Sequence, residues 1–351
     1  MHRIGLTPTV IRELEQRITG IISNDYARLS ADTWWQGVAK TRTISTKKEI
    51  LAWLISTAVI RDQGKEGGNI AFDDLLSHYT EIETRYSGTG LKLTRAQLTD
   101  VYNGEPGGEA FELARHWAKD IAAYMAYWPQ KKVAHFLKNA HSLATAGGYT
   151  GYDTKAFFAT DHPTNPADTS LGTFKNLLTG GDAAPIDVGV TMDVAATNLA
   201  KVWAHIKSLV MPNGEGDPRG LRPKALLVPP KLFPRAKQLV SAEFIAMAAA
   251  SGGGSADFRA FLQALGFAQP VCADELSGFE SETSYFVVAE QASNDELGGV
   301  IYVEREPFQM SKYGDMTDAD LSRRQELEWH VHGRNAIVPG HPYLLFKVKA
   351  T

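Results

Sequence analysis

Apolar residues recur at helical spacing in five stretches of the chain. The longest stretch runs from Glu109 to Ala144 and contains Pro129, where a helix is expected to kink or restart. Its apolar stripe comprises Phe111, Leu113, Ala114, Trp117, Ile121, Tyr124, Met125 and Trp128. The other predicted helices are Thr7–Ile22, Thr191–Leu209, Lys231–Ala250 and Phe258–Leu265.

Short apolar and aromatic runs predict strands between and after these helices. An aromatic strand is predicted from Tyr152 to Phe158, and it stops before His162-Pro163. Helices and short strands alternate between about residues 187 and 304, which is typical of an α/β unit. The later strands are predicted at Ala225–Val228, Gln269–Cys272, Tyr285–Ala289, Val300–Glu304, Trp329–His332 and Tyr343–Val348.

The segment from Asp62 to Thr94 has a different pattern. It opens with a Gly-rich loop, has a second Gly-rich stretch at Ser87–Gly90, and alternates like a strand over Leu91–Thr94. We expect two extended arms joined by a turn at Ser87–Gly90. The arms have too few apolar positions to bury themselves, so they would need neighbours. The alternative for Asp73–Tyr79 is a helical turn.

Composition narrows the class of protein without changing this picture. The chain has 351 residues, of which 44% are hydrophobic and 22% charged, as in ordinary globular proteins. A net charge of -4 argues against a protein that coats nucleic acid. The one cysteine, Cys272, rules out an intrachain disulfide, and we expect it to be an inert residue of an apolar strand. The start lacks the apolar run of a signal peptide and no stretch suits a membrane span, so we expect synthesis in the cytosol.

Candidate chemistry is sparse. No phosphate-binding loop or dinucleotide fingerprint is present, and no cofactor is predicted. His330 and His332 would share one face of a strand, but no carboxylate or cysteine stands at ligand spacing to complete a metal site with them and His341. Asp161-His162 would suit nucleophile activation only beside a serine or cysteine motif that is missing. The favoured interpretation of His162 is therefore a structural turn before Pro163.

Two motifs in this order resemble a known family. They are Phe157-Phe158 followed by His162-Pro163, and Pro223-Lys-Ala-Leu-Leu-Val-Pro229 far downstream. The chain resembles the major head subunits of Mu-like tailed phages, which have the Hong Kong 97 type capsid fold. The resemblance implies an α+β fold with a peripheral domain, an axial domain, an extended loop and an N-terminal arm.

The resemblance also implies domain boundaries and contact residues. The expected parts are an arm at 1–40, an extended loop at 61–95, a peripheral domain at 41–60, 96–186 and 305–351 with a long spine helix, and an axial domain at 187–304. The extended loop would lie across a neighbouring subunit. Its expected contact residues are Tyr79, Ile82, Glu83, Arg85 and Tyr86.

The implied function is structural. Copies would assemble as pentamers and hexamers into an icosahedral shell that confines double-stranded DNA without sequence-specific binding, in a virion assembled in the host cytoplasm. Portal, scaffold, and decoration or minor head proteins are the expected partners, and no catalysis or membrane is implied. The alternatives are an encapsulin-like compartment of the same fold and, in a different class, a soluble two-domain enzyme.

Overall fold

A computed structural model describes residues 8–56, 75–99, 101–102, 105–106, 108–179, 186, 189–241, 245–246, 255–256, 266–267, 270–291, 298–313 and 325–349. The α-helices are α1 (Pro8–Ser30), α2 (Arg95–Thr99), α3 (Gly108–Asn139), α4 (Met192–Lys207) and α5 (Phe233–Ser241). The strands are β1 (Ala39–Thr43), β2 (Lys48–Ser56), β3 (Leu75–Glu83), β4 (Arg85–Thr94), β5 (Val101–Tyr102), β6 (Glu105–Pro106), β7 (His162–Pro163), β8 (Thr173–Phe174), β9 (Leu177–Leu178), β10 (Leu221–Val228), β11 (Ile245–Ala246), β12 (Ser255–Ala256), β13 (Val271–Cys272), β14 (Tyr285–Gln291), β15 (Val300–Tyr313), β16 (Glu326–Pro339) and β17 (Leu345–Val348).

The helix α3 is the longest element of the described chain. It continues through Pro129 as one helix of 32 residues, about 48 Å at 1.5 Å per residue. It ends at Asn139, five residues before the predicted end, and a 3₁₀ turn at Ala144–Ala146 follows. Within the described part of the chain, no helix is both long enough and apolar enough to cross a bilayer.

Two larger sheets flank α3. One has the order β1-β15-β16-β4, and the other has the order β13-β10-β14-β17-β9. In the five-stranded sheet, Val287 and Phe346 face a core shared with α4 and α5, whereas Phe286 and Leu345 face α3. Because both faces of this sheet are covered, Tyr285–Ala289 form a continuous run of buried apolar residues, as expected.

Three large hydrophobic cores lie between the helices and the two larger sheets. The first fills the space between α4, α5 and the five-stranded sheet. The second joins the C-terminal half of α3 to the opposite face of that sheet and contains Phe136, Phe157 and Phe158. The third joins α1 and the N-terminal half of α3 to β4 and β16 and includes the fully buried Trp329.

The turn predicted at Ser87–Gly90 is wrong. These residues lie within β4, which pairs antiparallel with β16 without interruption from Arg85 to Thr94. Gly88 lies opposite His332, and a Cβ atom there would stand 2.6 Å from the carbonyl oxygen of Val331. Glycine is thus needed for close approach of two strands, which the sequence pattern does not distinguish from a turn.

A hairpin does form, but from other residues. The strands β2 and β3 pair antiparallel from Lys48 opposite Glu83 to Ser56 opposite Leu75. The connection between them, including Asp73 and Asp74, lies outside the described residues. The helical alternative for the part of Asp73–Tyr79 that is described is wrong, because Leu75–Tyr79 belong to a strand.

Several other boundaries differ from the predictions. The helix α1 extends eight residues beyond Ile22, where the apolar pattern weakens because the side chains are largely exposed. The helix predicted over Lys231–Ala250 ends at Ser241, and Ile245–Ala246 pair as a strand with Ser255–Ala256. No strand forms at Tyr152–Phe158, although Phe157 and Phe158 are fully buried. The predicted helix Phe258–Leu265 lies outside the described residues.

The C-terminal strand pairs across the expected domain boundaries. Residues 345–348 pair with β14 and β9 in the five-stranded sheet, and Tyr343 and Phe346 pack in its core. One sheet thus contains strands from both the expected axial domain and the expected peripheral domain. The strand β15 also runs through the boundary expected between residues 304 and 305. The remaining division into arm, loop and domains stays a prediction.

Asn176 connects three segments through its buried side chain. Its amide oxygen accepts a hydrogen bond from the Ala159 N–H at 3.0 Å. Its amide nitrogen donates to the carbonyl oxygens of Phe157, Pro342 and Leu345 at 2.8–3.3 Å. Buried backbone groups need such partners, and Asn176 supplies them to four backbone groups in two other segments.

His162 forms a second buried link. Its Nδ1 lies 2.6 Å from a carboxylate oxygen of Asp153, and its Nε2 lies 2.9 Å from the carbonyl oxygen of Phe157. Burial alone would raise the pKa of Asp153, but the hydrogen bond and charge of His162 outweigh it and lower the pKa. The favoured interpretation of His162 as a structural residue agrees with these contacts, although its carboxylate partner is Asp153 and not Asp161.

Replacement of Asn176 by leucine is expected to lower the free energy of unfolding by about 3 kcal/mol, because buried backbone groups such as the Ala159 N–H lose their partner and the larger leucine must fit the same space. Urea denaturation of the isolated subunit measures this loss. Asn24→Leu, at an exposed position of α1, is the control and should change stability by less than about 0.5 kcal/mol. Equal effects of the two substitutions would contradict the role of Asn176.

Asp153→Asn is expected to destabilise the subunit at pH 7 and to matter less at acidic pH. A carboxyl group whose pKa is lower in the folded state stabilises fully above its unfolded pKa of about 3.9, and this contribution is lost as the pH falls. The gap between the urea midpoints of wild type and variant should stay constant from pH 7 to about pH 5 and should narrow as the pH falls below about 4. Asp161→Asn, at an exposed carboxylate paired with Lys155, should have little effect at either pH. A gap that widens on acidification would refute the assignment.

Candidate intersubunit surfaces

The base of the β2–β3 hairpin is anchored in this chain's own core. Ile82 is 1% exposed and packs with Ile44, Val303 and Val338. Its side chain therefore stabilises the chain that carries it, and its contact with a neighbouring subunit stays a prediction. The alternation of β3 places Ile82 inward, whereas Glu81 and Glu83 are exposed.

The other predicted contact residues lie at or near the surface. Glu83 is exposed and forms an ion pair of 3.4 Å with Lys47. Arg85 is exposed at the start of β4, opposite Asn335. Tyr79 lies in β3, and its side chain is outside the described residues. These residues lie close together in the chain, from the middle of β3 to the start of β4. Their role between subunits stays a prediction.

Tyr86 is the most prominent of the predicted residues. It is 60% exposed, and the guanidinium carbon of Arg334 lies 4.2 Å from the centre of its ring. Arg334 also pairs with Glu306 at 3.3 Å, and the His332 ring lies 5.9 Å from the Tyr86 ring. This arrangement holds an aromatic ring on the outer face of the four-stranded sheet, where it is available to a second chain.

A second surface lies along the middle of α3. Tyr124 belongs to the predicted apolar stripe, yet it is 64% exposed. With Tyr127, Trp128 and Lys131 it lines a groove of about 580 Å³ that extends to Glu275 on the adjacent 3₁₀ turn. Helical periodicity alone missed this surface because aromatic residues satisfy the pattern whether they face the core or the solvent. Lys131 and Lys138 recur on the same side of the helix, and these charged residues were the signal in the sequence that this side is exposed.

The histidines considered as metal ligands do not form a common site. His330 and His332 lie on the outer face of β16, where His330 approaches Glu328 at 3.1 Å. His341 is buried elsewhere, where desolvation and then the charge of Arg219 lower its pKa to about 3. Across the described residues, no group of three or more His, Cys, Asp and Glu side chains is placed to hold a metal ion.

Cys272 is less buried than expected. It lies in β13 at the edge of the five-stranded sheet, and its thiol donates a hydrogen bond to Asp274 at 3.3 Å. Desolvation, the bond to Asp274 and nearby carboxylates raise the pKa of the thiol to about 11. The expected inertness therefore has an electrostatic basis, since the thiol stays protonated at neutral pH.

Sequence families agree with the architecture. A model of a phage capsid protein family matches residues 113–347, which is more than half of the chain. The model described as "Mu-like prophage major head subunit gpT" matches residues 22–188. No curated protein sequence matches the chain.

Solved structures agree on the fold. The capsid structure of cyanophage P-SCSP1u is similar with a TM-score of 0.52 and 13% identity, over 91% of this chain and 88% of that chain. The capsid of Myoviridae phage XM1 is similar with a TM-score of 0.50 and 9% identity, over 91% of this chain and 92% of that chain. These likenesses confirm the predicted α+β capsid fold.

The match to the phage capsid family indicates the function of the protein as well as its fold. It covers most of α3, the strands β15 and β16, nearly all of the five-stranded sheet and most residues of the three large cores. It favours neither the encapsulin-like alternative nor the enzyme. Self-assembly into a head shell and a place in the virion follow from membership. The chain is similar to Mu-like major head subunits over residues 22–188, and it belongs to the phage capsid protein family, whose members build the head shell.

Proposed function

We propose that the shell consists of pentamers and hexamers in which the β2–β3 hairpin of each subunit lies against an adjacent subunit. One observation carries this proposal: within the described residues, β2 and β3 form a sheet of their own and pair only with each other. An isolated two-stranded hairpin is marginal in water, so burial against another chain is the available source of stability.

The exposed residues at and just after the base of the hairpin support the same contact. Glu83 and Arg85 carry opposite charges near its base, and Tyr86 presents an aromatic ring fixed by Arg334. Aromatic anchors contribute most to protein interfaces, whereas exposed ion pairs contribute little. We therefore assign the affinity mainly to Tyr86 and to apolar residues of the hairpin, and the specificity to the charges.

The other partners follow from the role of a head shell. Portal, scaffold, and decoration or minor head proteins would contact the subunit during assembly in the host cytoplasm. Packaged double-stranded DNA would be confined without sequence-specific binding, because the chain has a net charge of -4 and strong DNA binding requires several phosphate-neutralising cations. No catalysis is required of such a subunit, and the buried contacts of His162 support a structural role instead.

Replacing residues 51–80 by an Asn-Gly turn is expected to abolish shells and leave a folded subunit. Ile50 pairs with Glu81, so a two-residue turn can join them, and Ile82 keeps its place in the core. Electron microscopy under assembly conditions should show no closed particles. Circular dichroism and urea denaturation of the variant should match those of the unassembled wild-type subunit.

Two results would contradict this proposal. Closed shells formed by the shortened chain would show that the hairpin is not needed between subunits. An unfolded product would show that the hairpin is part of the subunit's own stable core.

A further inference from the structure

The middle of α3 presents aromatic and cationic side chains on one face. Tyr124, Trp128, Lys131, His135 and Lys138 follow one another at intervals of three or four residues, so they form a single stripe. They line the groove of about 580 Å³ between α3 and the 3₁₀ turn at Asp274–Leu276. A second apolar groove of about 240 Å³ shares Tyr124 and Trp128 and continues to β4. A concave aromatic surface of this extent is typical of binding sites.

The rim of this groove has an excess of positive charge. The ammonium groups of Lys132 and Lys131 lie 4.8 and 6.0 Å from the centre of the Trp128 ring. Glu275, the one carboxylate among the described lining residues, already accepts hydrogen bonds from Gln130 at 2.6 Å and Trp34 at 3.1 Å. Its charge is thus directed toward these two side chains.

Two basic side chains near the groove, Lys132 and His135, have lowered pKa values. Desolvation, followed by the charges of Arg85 and Lys131, lowers the pKa of Lys132. Desolvation and the charges of Lys132 and Lys138 lower the pKa of His135. Like charges therefore repel one another around an apolar groove, and a ligand that brings carboxylates would relieve this repulsion.

The shape favours a peptide over nucleic acid. A stacked base needs an open aromatic face, and Lys132 and Lys131 already lie over the ring of Trp128. A DNA duplex presents a broad convex surface, which cannot enter a groove beside a single helix. An extended or helical peptide can place an apolar side chain between Tyr124 and Tyr127 and carboxylates beside Lys131 and Lys138.

We propose that this face of α3 is a docking site for an acidic peptide segment, bearing apolar anchors, of a protein other than the capsid subunit. The proposal does not depend on the β2–β3 hairpin, which lies on other elements. It assigns to the subunit a recognition surface in addition to those that close the shell.

Fluorescence anisotropy of the full-length, unassembled subunit tests this proposal. The probe is a fluorescein-labelled peptide, Glu-Trp-Glu-Leu-Asp-Glu-Leu-Asp, and the matched peptide has lysine in place of every acidic residue. We expect saturable binding of the acidic peptide only. The double variant Lys131→Glu with Lys138→Glu, and separately Tyr124→Ala, should each weaken binding by about ten-fold or more. Lys201→Glu, at an exposed position of α4, is the control and should leave binding within about two-fold.

Each other outcome would overturn the proposal. Absence of binding, or equal binding of both peptides, would show that the groove does not select acidic segments. Tighter binding of single-stranded oligothymidine that depends on Lys131 and Tyr124 would identify a nucleic-acid surface. Loss of shell formation by the double variant without any partner protein would identify a contact between copies of this chain. Urea midpoints of the variants should equal that of wild type, because the altered side chains lie at the surface of α3 and line the groove.

Discussion

Burial of both halves of α3 is the constraint on which the rest of the subunit depends. The N-terminal half contributes Ala114 and Ala118 to a core with α1 and β16, where small residues permit close helix packing. The C-terminal half contributes Val133 and Phe136 to a core with the five-stranded sheet. Because one rigid helix contributes to both cores, the two larger sheets are held in a fixed relation to each other.

This arrangement decides which surfaces are left for other molecules. Both faces of the five-stranded sheet are occupied, one by α4 and α5 and the other by α3. The β2–β3 hairpin is attached through Ile82 and otherwise pairs with itself. The stripe around Tyr124 and Lys131 lies on the side of α3 that neither core uses. The proposed assembly and docking contacts therefore use side chains that lie outside the three large cores.

Much of this architecture could be predicted from the sequence, where a strong pattern coincides with burial. The helices α3 and α4, and the strands at Tyr285–Ala289 and Val300–Glu304, have unmistakable apolar periodicity and form as expected. The order of motifs around Phe157-Phe158 and Pro223–Pro229 was sufficient to indicate the family. Such features can be read from the local sequence, because each helix or strand must bury an apolar face whichever part of the chain packs against it.

The errors arise where long-range contacts decide the structure. Gly88 and Gly90 resemble turn residues, but the close approach of β16 requires them within a strand. Tyr124 fits the apolar stripe of α3, yet its side chain reaches solvent. Asn176 looks like an ordinary loop residue, and only the fold brings four backbone groups to its amide. Which neighbour a residue meets cannot be read from its own segment.

A cryo-electron-microscopy reconstruction of assembled particles tests the central claim most directly. We expect closed icosahedral shells in which strands 48–56 and 75–83 of each subunit lie against an adjacent subunit, while α3 keeps its two cores within the subunit. A reconstruction in which the hairpin folds back onto its own α3 or sheets, with no contact to a neighbour, would contradict the claim that it joins subunits.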